Sequence, residues 1–348
     1  MERGRKRPLT ILGAGASGLS TAITLARNDI DVQVFEKEAH AGGRFKYDFQ
    51  CLRTFEKGQS DPLQEFKQLG IMIKPYKKIQ RIIRLSRSYS FEVVSAKTPL
   101  YYLVSRGKNH TSLDSQLTRQ ALQYGVDIVY NSNVKHETID IIATGPPKAD
   151  SIGYGEIYED AHIDDTVYVF LDTQYSPHGY LCILPGENPG EAEIMNGTCD
   201  PTLDMHTLKS LYERALQDNE VLRRILDGAT RKSVQSGIGC YTLVDSPYIN
   251  SQYYVGEAAG LQDASAFFGI RYAVISGYLA ASSILTGTEY ARLITQTFGN
   301  QLNFERKRSE VFKTVTNERL DKMFQSIVQQ FGHELTVEEY DSLRGSGV

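Results

Sequence analysis

A glycine-rich turn near the start of the chain has the residue types and spacing of a phosphate-binding site. Its six residues follow the pattern G-x-G-x-x-G and are Gly13, Ala14, Gly15, Ala16, Ser17 and Gly18. In this pattern the first glycine permits a tight turn, the second lets the backbone approach a pyrophosphate, and the third lets a helix pack closely on a strand. The free N–H groups and the positive dipole end of that helix then meet the phosphates. The turn predicts a dinucleotide site.

An acidic residue follows at the distance that such a site requires. Glu36 lies 18 residues beyond Gly18, at the end of an alternating stretch that predicts a second strand, and Lys37 follows it in the predicted site. A carboxylate at this position accepts hydrogen bonds from an adenosine ribose. It would also repel a 2′-phosphate, so FAD or NAD is favoured over NADP.

The segment after Glu36 favours FAD. The stretch EKEAHAGGRF contains Gly42, Gly43 and Arg44 and resembles the glycine doublet plus arginine of the FAD-binding glutathione-reductase-like superfamily. The resemblance implies that Gly43 lets the chain pass close to the cofactor and that Arg44 meets a phosphate bidentately. FAD is therefore the predicted cofactor.

A matching motif lies far along the chain, in residues 255–260 (VGEAAG) and the small-residue stretch 268–281. It is similar to the C-terminal FAD motif of p-hydroxybenzoate-hydroxylase-type flavoproteins, and most similar to their geranylgeranyl reductase branch. The resemblance implies that Gly256 and Glu257 lie at the ribityl chain. It also implies that Gly269 and Ile270, at the start of a helix, approach the pyrimidine edge of the flavin. This chain departs from the family in having Glu257 where Asp is usual and ASAF (264–267) where Pro-x-x-Gly is usual.

Two shorter segments agree with the same superfamily. Arg106, followed by LD at 113–114, is similar to its R…LD..L stretch, and residues 143–145 resemble the ATG turn by which the chain re-enters the FAD domain. The likeness adds four residues to the predicted cofactor site: Arg106, Val134 at the adenine, Thr144 and Gly145.

No motif identifies a catalytic group, but three residues are candidates. Cys51 follows the Gly-Gly-Arg turn, on the segment where geranylgeranyl reductases carry a cysteine. His178 and Tyr180 belong to PHGYLCILP (177–185), a partial match to the P-x-x-Y-x-W-x-F-P signature of that family. A buried thiol and a solvated loop histidine are the alternative interpretations. The four cysteines have no metal-ligand spacing, so no metal site is predicted.

The elements that must position these residues form an α/β pattern. Residues 9–12, 31–36, 126–130 and 139–143 predict strands of a parallel sheet, with helices over 18–26, 62–69, 111–124 (capped by Thr111) and 269–285. Residues 79–94 and 101–104 alternate as half-buried strands do. Short alternating strands at 167–171, 180–184 and 192–197, with one helix over 205–226, predict an antiparallel sheet.

The expected fold is therefore a Rossmann-type FAD-binding domain interrupted by an antiparallel substrate domain, with a helical tail. The FAD domain is discontinuous and comprises residues 8–75, 99–150 and 245–288. The substrate domain comprises 76–98 and 151–244, and the C-terminal helical segment comprises 289–335.

Composition narrows the function classes. The chain has 348 residues and a formal net charge of -4, which gives no electrostatic reason to expect nucleic acid as a partner. No stretch predicts a signal peptide or a transmembrane segment, so the cytoplasm is the expected location, and peripheral contact with a membrane stays open.

The expected activity is that of an FAD-dependent oxidoreductase. The favoured reaction is hydride transfer from reduced FAD to a C=C bond of an apolar small molecule, with prenyl compounds as a candidate class. One alternative is a flavin-dependent monooxygenase acting through a C4a-hydroperoxide, and another is a non-redox isomerase or cyclase that binds FAD. A second glycine fingerprint is missing from the sequence, so NADPH or NADH would bind transiently, or an external donor would supply the electrons.

Overall fold

The structure is a computed structural model, and it describes residues 7–55 and 60–345. The strands in chain order are β1 (Leu9–Leu12), β2 (Val32–Phe35), β3 (Asp48–Arg53), β4 (Lys77–Ile79), β5 (Arg81–Leu85), β6 (Ser90–Val94), β7 (Tyr101–Arg106), β8 (Asp127–Val129), β9 (Ile141–Ile142), β10 (Ser151–Glu159), β11 (Thr166–Phe170), β12 (Gly179–Pro185), β13 (Ala192–Thr198), β14 (Thr230–Gly239), β15 (Tyr248–Ile249), β16 (Gln252–Tyr254) and β17 (Glu334–Thr336). The helices are α1 (Ala16–Ala26), α2 (Pro62–Gln68), α3 (Leu113–Gln123), α4 (Met205–Asp218), α5 (Glu220–Ile225), α6 (Ile270–Thr286), α7 (Tyr290–Phe312), α8 (Asn317–Phe331) and α9 (Val337–Gly345).

The first layer is a sheet with the strand order β15-β16-β9-β1-β2-β8. Its central strands pair in parallel, and Leu9 to Leu12 align with Val32 to Phe35. Apolar residues of β1, β2 and β9 are buried on the side where α1, α3 and α6 pack. This arrangement confirms the predicted Rossmann-type α/β fold.

The second layer is a larger sheet with the order β14-β10-β13-β12-β11-β5-β6-β17. Its neighbours pair antiparallel except where β11 meets β5 and where β6 meets β17. Strands β5 and β6 thus join strands β10 to β14 in one sheet, whereas β4 belongs to a different sheet. A smaller sheet, β3-β7-β4, lies between the two larger ones, and the backbone N–H of Phe49 in β3 donates to a carboxylate of β13 at 2.7 Å.

Four local predictions need correction. The cap of α3 is Ser112, whose hydroxyl accepts from Ser115 N at 3.1 Å, and not Thr111. Strand β7 is buried throughout instead of half-buried, because it is the middle strand of the small sheet. The helix predicted over 205–226 is broken at Asn219, whose side chain caps α5. The tail does not end in helix at 335, because residues 334–336 add the strand β17 to the antiparallel sheet before α9.

Helices α1 and α6 pack so closely that a side chain is not tolerated at their crossing. Gly277 of α6 is buried, and a Cβ built there would lie 2.4 Å from the carbonyl oxygen of Ser17 and 3.0 Å from the side chains of Ser20 and Thr21. The start of α1 is therefore held against α6 by backbone contact. Within the described ranges, none of the helices combines the length and hydrophobicity that crossing a bilayer requires.

This packing predicts opposite effects for two Gly→Ala substitutions in helices. Gly277→Ala overpacks the crossing and should lower the free energy of unfolding by about 1–3 kcal/mol. Gly299→Ala in α7 is the matched control, since its Cβ would meet only the Thr295 side chain, at 3.5 Å. That change should raise the free energy of unfolding by about 0.5–1 kcal/mol, because Ala favours a helix more than Gly does. Urea unfolding followed by circular dichroism measures both, and equal effects would contradict the close packing.

Candidate active site

One large cavity, of about 640 Å³, opens between the parallel sheet and the antiparallel sheet. It extends from the glycine turn after β1 to the inner face of β11 and β12. All but three of the predicted cofactor residues line it: Gly13, Gly15, Ala16, Ser17, Glu36, Lys37, Gly43, Arg44, Arg106, Val134, Thr144, Gly145, Glu257, Gly269 and Ile270. The other three, Ala14, Gly18 and Gly256, lie behind the wall and support it.

The glycine turn forms a narrow cradle at one end of this cavity. Gly13 has φ +108°, which favours glycine, and a Cβ there would lie 2.4 Å from the carbonyl oxygen of Ala143. A Cβ on Gly18 would lie 2.0 Å from the carbonyl oxygen of Gly13, so the turn and α1 are in direct contact. Gly15 differs, because nothing lies within 4 Å of the Cβ position there. Its backbone faces open space at the N-terminus of α1, as a phosphate site requires.

Glu36 is buried beside this cradle and holds its backbone. Its Oε2 accepts from Ala14 N at 2.7 Å, and its Oε1 accepts from Glu38 N at 3.0 Å. A carboxylate has about four acceptor positions, so lone pairs remain for the hydroxyls of a ribose. The sequence predicted the ribose contact but not this second, structural role.

The end of the cavity near β8 is suited to a flat ring. Val134 lines this end of the cavity, and the structure adds Phe35, Ser132, Asn133 and His136 to the lining. Phe35 is the last residue of β2, whereas the others follow β8 in a segment whose sequence carries no recognisable motif. The end of the cavity near β8 and the glycine cradle both lie next to Glu36.

Arg44 and Glu257 meet across the middle of the cavity. Nη1 of Arg44 lies 3.5 Å from Oε2 of Glu257, and the guanidinium lies 4.7 Å from the ring centre of Phe45. The Arg44 side chain is 40% exposed and therefore available to an anion. Burial raises the pKa of Glu257, while Arg44 and Arg106 act to lower it.

Arg106 is held more rigidly than Arg44. It forms a bidentate pair with Asp114, with both N···O distances 2.9 Å, and it donates to Gln50 Oε1 at 2.9 Å. Its guanidinium also lies 4.2 Å from the ring centre of Phe45. The side chain thus forms part of the wall, and its charge is largely committed to Asp114.

A second helix N-terminus and a strand flank the other side of the cavity. Gly269 and Ile270, at the start of α6, line it as predicted, and residues 235–239 of β14 lie there too. Nearby Gly256 donates its N–H to Ser276 Oγ at 2.9 Å, which ties the turn before α6 to that helix. The β14 residues were missed, because QSGIG resembles an ordinary glycine-containing strand.

The far end of the cavity is an apolar chamber under the antiparallel sheet. We define it by six lining residues: Phe55, Tyr101, Val169, Leu184, Phe268 and Tyr340. Arginines also reach its wall, and Arg53 pairs with Asp263 at 3.0 Å below the Phe268 ring. Tyr340 comes from α9, so this helix forms part of the chamber wall, which the sequence did not predict.

The three catalytic candidates occupy different places. Cys51 lines the cavity, and burial raises the pKa of its thiol well above the usual value. Tyr180 also lines it, but its hydroxyl donates to the carbonyl of Ala266 at 2.6 Å, and burial raises its pKa. His178 does not line the cavity, and its Nδ1 lies 3.5 Å from Asp200 at the outer end of β12. The structure therefore brings Cys51 and Tyr180 to the site and leaves His178 outside.

Sequence comparison matches parts of the chain. A family model described as an NAD(P)-binding Rossmann-like domain matches residues 11–55. An uncharacterised protein of Methanocaldococcus jannaschii is 24% identical over 172 residues, which are 47% of this chain and 43% of that protein. The match thus spans less than half the length of that curated relative. The residues that the family model matches include the glycine turn.

Comparison with solved structures covers nearly the whole chain. A geranylgeranyl bacteriochlorophyll reductase-like protein from Thermoplasma acidophilum superposes with a TM-score of 0.80 at 18% identity, over 98% of this chain and 95% of that one. A probable FAD-dependent monooxygenase from Pseudomonas aeruginosa superposes with a TM-score of 0.60 at 12% identity, over 91% and 99%. The chain therefore has the fold of the FAD-dependent oxidoreductases.

Proposed function

We propose that this chain binds FAD along the cavity and uses it to reduce a C=C bond of an apolar substrate held in the chamber. The observation that carries the proposal is the open space at Gly15. A Cβ at Gly13 or at Gly18 would collide with a backbone carbonyl oxygen, but a Cβ at Gly15 would have no neighbour within 4 Å. A pyrophosphate that approached the N-terminus of α1 would fill that space.

The residues around the cavity fit the remaining parts of FAD. The loop with Val134 suits the adenine, and the free lone pairs of Glu36 suit the ribose hydroxyls. Arg44, partly exposed and opposite the cradle, would neutralise phosphate charge. The N-terminus of α6 would stabilise negative charge at the flavin ring.

Bound FAD would supply a hydride to the substrate, with electrons delivered by NADPH, NADH or another external donor. The chamber's own contribution is positioning and exclusion of water. Its aromatic and branched walls match a hydrocarbon chain, and the part of the wall that α9 forms helps to keep solvent from the reacting carbons. The chamber lies next to the flavin-binding part of the cavity, so an apolar substrate there would lie beside the ring.

The geometry of the cradle predicts that Gly15→Ala and Gly13→Ala have different effects on FAD binding and on stability. Gly15→Ala should weaken FAD binding at least tenfold and leave the stability of the apoprotein unchanged, because its Cβ enters space that only the cofactor would occupy. Gly13→Ala should weaken FAD binding and also destabilise the apoprotein, since its Cβ would meet the Ala143 carbonyl and its φ disfavours alanine. Fluorescence titration with FAD and thermal unfolding of the apoprotein measure the two effects. Wild-type FAD affinity in Gly15→Ala would contradict the assignment of the cradle.

The proposed reaction predicts the mass of the product. Holoenzyme reduced anaerobically with dithionite and given geranylgeraniol should yield products heavier by two hydrogen atoms for each double bond reduced. A product heavier by one oxygen atom, formed only in air, would show a monooxygenase instead. Mass spectrometry of the extracted alcohol distinguishes them, and an unchanged substrate under both conditions, with flavin bound, would contradict the proposal for this substrate class.

A further inference from the structure

Two carboxyl groups face each other where β3 of the small sheet docks on β13. Asp48 begins β3 opposite Arg106 of β7, is 7% exposed and lines the cavity. Glu193 lies inside β13 between β10 and β12 and is fully buried. The pair thus connects the cavity wall to the interior of the antiparallel sheet.

The hydrogen bonds of this pair leave one buried oxygen without a donor. Glu193 Oε2 accepts from Phe49 N at 2.7 Å, and Asp48 Oδ2 accepts from Gln50 Nε2 at 2.6 Å. Within the described residues, Glu193 Oε1 has no hydrogen-bond donor, although it is buried. Because Phe49 directly follows Asp48, its bond to Glu193 brings the two buried carboxyl groups close together. Two buried carboxylates so close repel strongly, and a proton that one carries and the other accepts relieves this repulsion.

The neighbouring charges determine which of the two carboxyl groups carries the proton. Burial raises the pKa of both groups, but Arg106 and Arg44 act to lower that of Asp48, whereas the Asp48 charge raises that of Glu193 further. The charged and titratable groups that face the pair are Arg44, Cys51, Tyr76, Arg106, Cys182 and Glu191. Glu193 is therefore the protonated partner and donates to Asp48, which is the partner that reaches the cavity.

We propose that Glu193 and Asp48 share one proton at neutral pH and deliver it, through Asp48, to the substrate during reduction. The inference rests on the proposed function. One alkene carbon takes up the hydride that leaves reduced FAD, the other carbon takes up the proton, and FAD is left oxidised. The pair is left with two negative charges and recovers its proton from solvent. Asp48 is thus the general acid, and Glu193 is a positioning residue that supplies the proton.

The direction in which turnover and stability change with pH follows from the raised pKa values of Asp48 and Glu193. Acids whose pKa is raised by folding keep their proton above the ordinary carboxyl range, so the pair is ready to donate at neutral pH. As the pH rises through the raised pKa, the proton is lost and two buried charges remain. Turnover and folding stability should both fall on the alkaline side.

The first test does not depend on catalysis. Infrared spectroscopy of the purified protein should show a protonated-carboxyl band at neutral pH that disappears on the alkaline side. Glu193→Gln should remove the Glu193 contribution to this band, because its amide can still donate to Asp48 but carries no transferable proton. The contribution of Glu305, whose pKa burial raises to about 8, should remain. Glu156→Gln should leave the band unchanged, since Glu156 is a buried carboxylate of the same sheet that pairs with Arg231 and does not line the cavity.

The second test uses the holoenzyme and geranylgeraniol under anaerobic single-turnover conditions. General acids contribute about 10²–10⁴-fold to rate, so Glu193→Gln and Asp48→Asn should each slow flavin oxidation by the substrate by at least tenfold and abolish the alkaline limb of the pH profile. The substrate affinities of Glu193→Gln and Asp48→Asn should stay within about twofold of the wild-type affinity. The rate of Glu156→Gln should also stay within about twofold of the wild-type rate, which is a small change compared with the contribution of a general acid.

The outcomes separate the inference from the proposed function. A missing band, or wild-type rates in Glu193→Gln and Asp48→Asn, would overturn the proton-delivery role. A band that behaves as expected in a holoenzyme that reduces no double bond would overturn both the proposed function and the catalytic role, and would leave only the shared proton. Slow variants with unchanged pH profiles would also overturn the role, because a purely structural effect predicts that result.

Discussion

The close approach of α1 to the chain around it is the constraint on which the rest of the structure depends. Backbone contacts at Gly13, Gly18 and Gly277 leave no room for side chains between α1, the turn after β9 and α6. They fix two helix N-termini at the edge of one cavity, where N–H groups and dipoles face the same space. A slightly looser packing would move both ends away from a bound phosphate or ring, so stability and binding are connected through the same contacts.

The second sheet faces this edge and forms the other wall of the cavity. The small sheet lies between the two layers, and its docking depends on Glu193, which accepts the Phe49 N–H deep inside the antiparallel sheet. The same contact buries a carboxyl pair beside the cavity, and Tyr340 of α9 contributes to the wall of the apolar chamber. Charge is thus concentrated near the middle of the cavity, and hydrocarbon surface lies at its end.

Local signals in the sequence were enough to predict one set of residues that meet at the cavity. The glycine turn, Glu36, Arg44 and the start of α6 depend on contacts that short motifs encode, and all of them meet at the cavity. The remainder depends on pairing between distant segments. Neither the alternation of β14 nor that of β17 reveals which strand it joins, and Glu193 differs from an exposed glutamate only after β3 has docked on β13. Thr111 and Ser112 are equally good caps in sequence, and only the helix register distinguishes them.

Reconstitution of the purified protein with FAD tests the central claim most directly. The absorption spectrum after removal of free cofactor should show protein-bound flavin at one FAD per chain, and anaerobic reduction should bleach its visible band. A protein that is folded by circular dichroism but retains no flavin, even after incubation with excess FAD, would contradict the account.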